Sequence, residues 1–523
     1  MKIIPETWGE RIIALLFAIT VGVAAYLPFL ELFALTPALA FIHRFSLTLE
    51  IGVLSKTLQV FLFIIPFLLY KSIREYLKRY SLQSLLKEPV LKFIGALIAI
   101  DLVYTIFSIS LTTSLATFAV RLLLYATFFA SAVWVKIITE WTFKENFYKT
   151  AYAIARNFIL ALGIFAIINS VISLTQFLDC SVVQRGCAVW SWVDKTFPNQ
   201  MLEVGHQKFN DALFIIRAPG FFGDVNFNGI FSLLVVIIFS TLLFIDFFAH
   251  RKKGHEEPRN KWFFLVVIGT AIASYALTLS RSAVLGFAPI IIILSVFFFY
   301  PIIRKLGEVK TAINAGWKLL LAVIVALGFL AGMGTQIKIP HEGGGESNVT
   351  QEILLYAQKV VQPSDDSAND HLRLFLTAIE ISSERFYMGT GLGTFSVAYQ
   401  QYIDQSNPDS DPHSTYGTLI AEQGIIGLGI YLAFMAFIWV KSISFLRKVA
   451  AIVGEMLAKQ KTLTREIYAK VMLLTFIAVL GLALPFMTLA TITYYGFFLP
   501  MTWWWGTTVL VDSKNIGTKL NAK

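Results

Sequence analysis

Charge is scarce in this sequence. Asp, Glu, Lys and Arg make up only 15% of its 523 residues, whereas soluble domains carry about a quarter. Cysteine is nearly absent, with Cys180 and Cys187 as the only two. No second Cys or His pair stands beside them at zinc spacing, so no metal site is expected. Short alternating strands are missing, which excludes a β-barrel. No P-loop is present. The one glycine-rich stretch, "GTGLGTF" at 389–395, has no strand before it and no βαβ unit around it, so a dinucleotide site is not expected there. It reads as a flexible turn. No small-residue cleavage site follows the first apolar run, which therefore reads as a membrane span and not a leader.

Long apolar runs are abundant. Hydrophobic residues make up 56% of the chain, and runs of about 20 recur, the length that crosses a ~30 Å hydrocarbon core as a helix. The expected fold is all-α: a single polytopic membrane domain over 1–523. Twelve spans are expected, near 12–30, 57–75, 91–112, 115–136, 155–178, 226–248, 262–280, 283–300, 317–335, 415–440, 470–490 and 492–511. The apolar stretch within 31–56 reads as re-entrant or interfacial. Lys and Arg collect in cytoplasmic loops. With both termini inside, about 31 of the 43 basic residues fall on the inner side. The net charge of +10 then reflects topology and anionic lipid, and not a nucleic-acid partner.

Two long segments are left outside: 179–225, and a largely helical loop at 337–412 before the tenth span. Cys180 and Cys187 lie in the first, where an oxidising compartment permits a disulfide; two unpaired thiols is the other reading. The acidic runs in the second do not follow the EF-hand pattern and read as solvated loop. Few basic residues remain outside, and four have unusual settings. Arg217 precedes Asp224, Asn226 and Asn228. Arg281 sits between two spans with almost no loop. Arg373 is on an amphipathic helix whose apolar side is Leu372, Leu374, Phe375 and Ile379. His413 opens the tenth span. Each has an ordinary reading alone: Arg281 snorkelling to head groups, Arg373 paired with Asp370, His413 as a helix cap beside the better cap Ser414. Together, on one side, they point to a shared anionic ligand, because ionisable groups at membrane depth are costly and the arginine fork suits phosphate. A histidine of ordinary pKa near 6.5 can move a proton there.

Four segments resemble one family. "HSTYGTLIAEQGIIG" (413–427) is similar to the signature of O-antigen ligases and polymerases, through His413, Tyr416, Leu419, Glu422, Gly424 and Gly427. Ser414 stands where Asn is usual and Gly417 where Leu is usual. "SRSAVLG" resembles the family's Ser-Arg-Gly-Ala segment. "HLRLFLTAIEISSERFYMGTGLGTF" resembles its Arg-bearing segment leading to a glycine-rich end. "RAPGFFGDVNFNG" resembles its Arg-x-x-Gly-x-x-x-Asp-x-Asn segment. The four keep the family's order over about 215–440. The resemblance implies a GT-C-like fold and a metal-independent, cofactor-free transferase. It implies further that the donor would be a glycan on a polyprenyl diphosphate and the acceptor a hydroxyl on a lipid, glycan or protein. It also implies a cytoplasmic-membrane enzyme with an extracytoplasmic active site. Arg281 and Arg373 would clamp the diphosphate and His413 would be the base. Arg217 would support the site or contact the glycan, and Asn226, Tyr416 and Glu422 would contact substrate. Ligase is the leading expectation, with polymerase beside it. A non-catalytic transporter of lipid-linked glycan is the alternative from another class; the lack of an internal repeat argues against it.

Overall fold

A computed structural model of the chain describes residues 89–119, 121–122, 148–178, 205–209, 212–218, 220, 225–250, 260–278, 280–336, 338–340, 346–348, 351, 366–385, 388–403, 415–459 and 465–487. The expected spans 12–30, 57–75 and 492–511 lie outside these residues, as do most of the expected span 115–136, the stretch 31–56, His413 and both cysteines.

Where residues are described, helices coincide with eight of the expected spans. They are α1 (Pro89–Ile106), α2 (Tyr148–Phe177), α3 (Val225–His250), α4 (Lys261–Thr278), α5 (Arg281–Leu294) with its continuation, α7 (Val309–Gln336), α10 (Thr415–Lys459) and α11 (Arg465–Met487). Five of these segments are long and apolar enough to cross a membrane: Asn228–His250, Lys261–Thr278, Phe287–Leu306, Val309–Gly328 and Tyr416–Lys459. Apolar runs of this kind become helices because lipid offers no partner for a backbone amide. Their outer faces carry Ile291, Ile292, Leu320, Leu321, Ile324 and Val325 exposed. In water such a surface would drive association; in lipid it is the expected exterior. Trp262 is exposed with Lys261 over its ring at 4.9 Å, a pairing that suits a membrane–water boundary.

Local sequence sets several helix ends. Proline at the first position of α1 costs no hydrogen bond there. α5 passes through a π-turn at Ser295–Phe299 into α6 (Tyr300–Leu306), which stops at Gly307 in the left-handed conformation. The expected span 91–112 ends early. After Ile106 the chain leaves the helix, and Ser110 N donates to Ser108 Oγ at 3.0 Å before helix resumes over 111–119.

Two short ribbons stand beside the helices. β1 (Gly205–Phe209) pairs antiparallel with β2 (Ala212–Arg217), and β3 (Lys338–Pro340) with β4 (Glu346–Asn348). The segment before α10 holds α8 (Asp366–Glu384) and α9 (Phe395–Tyr402).

These elements form two compact units. The first contains α2 to α7, both ribbons, the end of α10 and most of α11. Within it α3 packs on α4, and α4 on α2 and α7. Gly163 of α2 allows this approach, since a Cβ there would meet Phe263 Cζ at 2.6 Å. The last turn of α3 buries Asp246, whose Oδ1 accepts a 2.7 Å bond from Tyr468 of α11. The second unit contains α1, residues 111–122, α8, α9 and α10 up to Phe445.

Candidate functional site

In the second unit the motif that begins at His413 runs into a broken helix. Gly424 has φ 65° and ψ −169°, a region essentially restricted to glycine. The rings of Tyr416 and Tyr431 meet edge to face at 6.0 Å. In an uninterrupted helix their Cα atoms would be about 22 Å apart at 1.5 Å per residue. The expected single span 415–440 is therefore two limbs, 415–423 and 425 onward, with the chain turning sharply between them.

The glycine-rich stretch explains how the break is held. "GTGLGTF" is not the flexible turn expected from its composition. Gly389, Thr390, Gly391, Leu392 and Thr394 are buried. Thr390 N donates to Ala421 O at 2.9 Å, and Gly391 N to Glu422 O at 2.8 Å. These carbonyls lie just before the break, where the helix supplies no donors of its own. Gly389, at φ 79°, lies so close that a Cβ would be 2.5 Å from Glu422 C and O and from Gly424 N. The other side of the turn rests on the residues that follow α1: Ile109 N donates to Thr390 O at 2.9 Å, and Ser114 Oγ, in the next helical stretch, to Leu392 O at 2.7 Å.

Glu422 is 4% exposed, and its Oε1 accepts from Phe395 N, the first amide of α9, at 3.3 Å. A carboxylate is favourable at a helix N-terminus. Beneath it Ile420 and Ala421 share an apolar cluster with Ala378 and Ile381 of α8 and Phe395 and Ala398 of α9. Leu374 packs against that cluster, while Ile379 and Leu376 are exposed. The packed face of α8 is thus the half-buried Leu374 with the buried Ala378, Ile381 and Ser382; of the expected apolar side it keeps Leu374 and leaves Ile379 exposed. Arg373 is exposed, one residue before this face.

Behind the break lies a charged pair that sequence reasoning missed. Asp101 of α1 and Arg121 form an ion pair, 3% and 2% exposed. Gln423 Nε2 donates to Asp101 Oδ1 at 3.2 Å. The available signal was one acid and one base, each alone in an otherwise apolar run.

In the first unit a buried polar knot holds two other motif segments. Asn228 is fully buried. Its Nδ2 donates to Ala218 O at 2.9 Å and Ser173 Oγ at 3.0 Å, and its Oδ1 accepts from Asn169 Nδ2 at 2.8 Å. Gln176 closes on Gly220, accepting from its N at 2.8 Å and donating to its O at 3.0 Å. Ala218 N donates to Leu277 O at 3.0 Å. The backbone after Arg217 is thereby tied to the end of α4, a few residues before Arg281 begins α5. Gly229 permits the same closeness, since a Cβ there would lie 2.8 Å from Ser280 Cβ. Asn228, two residues beyond the expected substrate contact Asn226, is the residue that makes the knot. Arg217 ends β2, Asn226 lies in the first turn of α3, and Arg281 is the first residue of α5.

Among the described residues no group of three or more His, Cys, Asp or Glu gathers as a metal site. Residues 263–432 match a family model described as O-Antigen ligase. This segment includes Arg281, Arg373, Tyr416 and Glu422, and in sequence His413. No match is found among curated proteins or among solved structures.

Proposed function

We propose, from the premise that residues 263–432 match the O-antigen ligase family, that this chain transfers a glycan from a polyprenyl-diphosphate carrier to an acceptor hydroxyl on the outer face of the cytoplasmic membrane. The family match carries this reading, because it spans the segments bearing Arg281, Arg373 and His413 on a frame of apolar helices. The orientation rests on the basic inner loops, with both termini cytoplasmic.

In this reaction the acceptor oxygen attacks the anomeric carbon and the bond from that carbon to the diphosphate oxygen breaks. His413 takes the hydroxyl proton. Polyprenyl diphosphate leaves with the negative charge that develops. Arg281 and Arg373 neutralise it; fixed guanidinium groups in a low-dielectric setting do this with little reorganisation. The carrier's own phosphate ester supplies the free energy, so no nucleotide is consumed. Arg217, Asn226 and Tyr416 assist in holding substrate. Glu422 serves through the helix break and the start of α9.

The test is His413→Ala in proteoliposomes containing a polyprenyl-diphosphate glycan. Transfer should be abolished while donor binding stays close to wild type. Full transfer by this variant would remove His413 from the chemistry. Donor translocation by wild type, without any transfer, would establish the transporter reading.

A further inference from the structure

The structure assigns a positioning role to Asp101 and Arg121, which lie outside the segment matched to the family. Through Gln423 they fix the helix break that carries the 413–427 motif. This role deepens the transferase reading and rests on it for its catalytic consequence.

Both charges are almost fully buried, on helical segments whose one other charged residue is Lys92. Such a pair is weak as a source of stability, since desolvation offsets most of its attraction. It does make a strong local hydrogen-bond acceptor. Asp101 Oδ1 receives both Arg121 and Gln423. Gln423 is the last residue before Gly424, so its side chain is a handle on the break. Glu422, its neighbour, is directed instead to Phe395 N. Adjacent helical side chains diverge by about 100°. Holding one on Asp101 and the other on α9 therefore sets the rotation of the limb 415–423. Space for this comes from Gly427, where a Cβ would overlap the Gln423 side chain. The glycine one turn beyond the break thus leaves room for Gln423 to reach Asp101. The same limb presents the Ala421 and Glu422 carbonyls to the glycine-rich turn. The chain two residues before the limb is His413.

The test uses full-length protein in lipid nanodiscs and two variants. Gln423→Leu removes the handle and leaves the ion pair. The double variant Asp101→Leu/Arg121→Met removes both charges together, leaving neither alone in an apolar setting. Hydrogen exchange is read at Thr390 and Gly391, whose amides bond the limb, and transfer is read as kcat and KM. In both variants these amides should exchange about tenfold faster, as for the loss of one net hydrogen bond. The kcat should fall about tenfold to hundredfold, the range expected of a displacement near 1 Å, with KM for the donor within about twofold. Arg121→Lys, which keeps a cation beside Asp101, should recover most of both. Wild-type exchange and kcat in Gln423→Leu would overturn the assignment, even if the double variant fails to fold. Absence of glycan transfer by wild type would instead refute the proposed function, and the exchange measurement would still decide the positioning role.

Discussion

Gly389→Ala tests the docking of the glycine-rich turn on the broken helix. The added methyl would lie 2.5 Å from Glu422 C, Glu422 O and Gly424 N. These are backbone atoms and cannot rotate away as a side-chain tip would. Relief to ordinary contact requires a shift of about 1 Å. That shift strains the bonds Thr390 N to Ala421 O (2.9 Å) and Gly391 N to Glu422 O (2.8 Å), each contributing about 1 kcal/mol net. The residue also sits at φ 79°, where a side chain costs about 1–2 kcal/mol. Together the loss is about 3–4 kcal/mol. A 1 Å displacement of groups that position a reaction costs about a hundredfold in rate. Purified Gly389→Ala should therefore melt several degrees lower and transfer glycan about a hundredfold more slowly. Gly429→Ala is the control: it lies on the same helix with nothing within 4 Å of its Cβ position, and should match wild type or gain slightly. Wild-type melting and rate in Gly389→Ala would refute the view that this turn holds the break.

Two further outcomes follow from the first unit. Arg281→Lys should cut transfer strongly at unchanged protein level, because an ammonium cannot bond two phosphate oxygens in a fork; normal activity would reduce Arg281 to an anchor at the start of α5. Asn228→Leu leaves Ala218 O, Ser173 and Asn169 without the partner they share, and should destabilise by about 2–4 kcal/mol. An unchanged melting temperature would show that the knot is dispensable.

The contrast between what was legible and what was not is clearest at particular residues. The apolar runs located eight helices, because each run must satisfy its own backbone in lipid whatever it packs against. The run 415–440 also read as one span, and its break was hidden because a single glycine in an apolar helix has many uses. Only the meeting of Tyr416 with Tyr431 and the φ of Gly424 reveal the turn. Hydrophobicity puts Ile379 on the apolar side of α8, yet the packed face follows Leu374, Ala378 and Ile381. Exposed apolar residues are no penalty beside lipid, so hydrophobicity alone did not orient the helix.

The sequence by itself determined the kind of molecule and the residue types of its candidate chemistry. Both are local properties: a run long enough to span, a basic loop, a histidine ahead of Tyr416 and Glu422. The tertiary structure alone decided which polar groups brace that chemistry. Asp101 meets Gln423 across 322 positions of chain, and Asn228 reaches Ser173 across 55. A buried polar group must find a partner wherever the fold supplies one, and neither periodicity nor spacing encodes where that is.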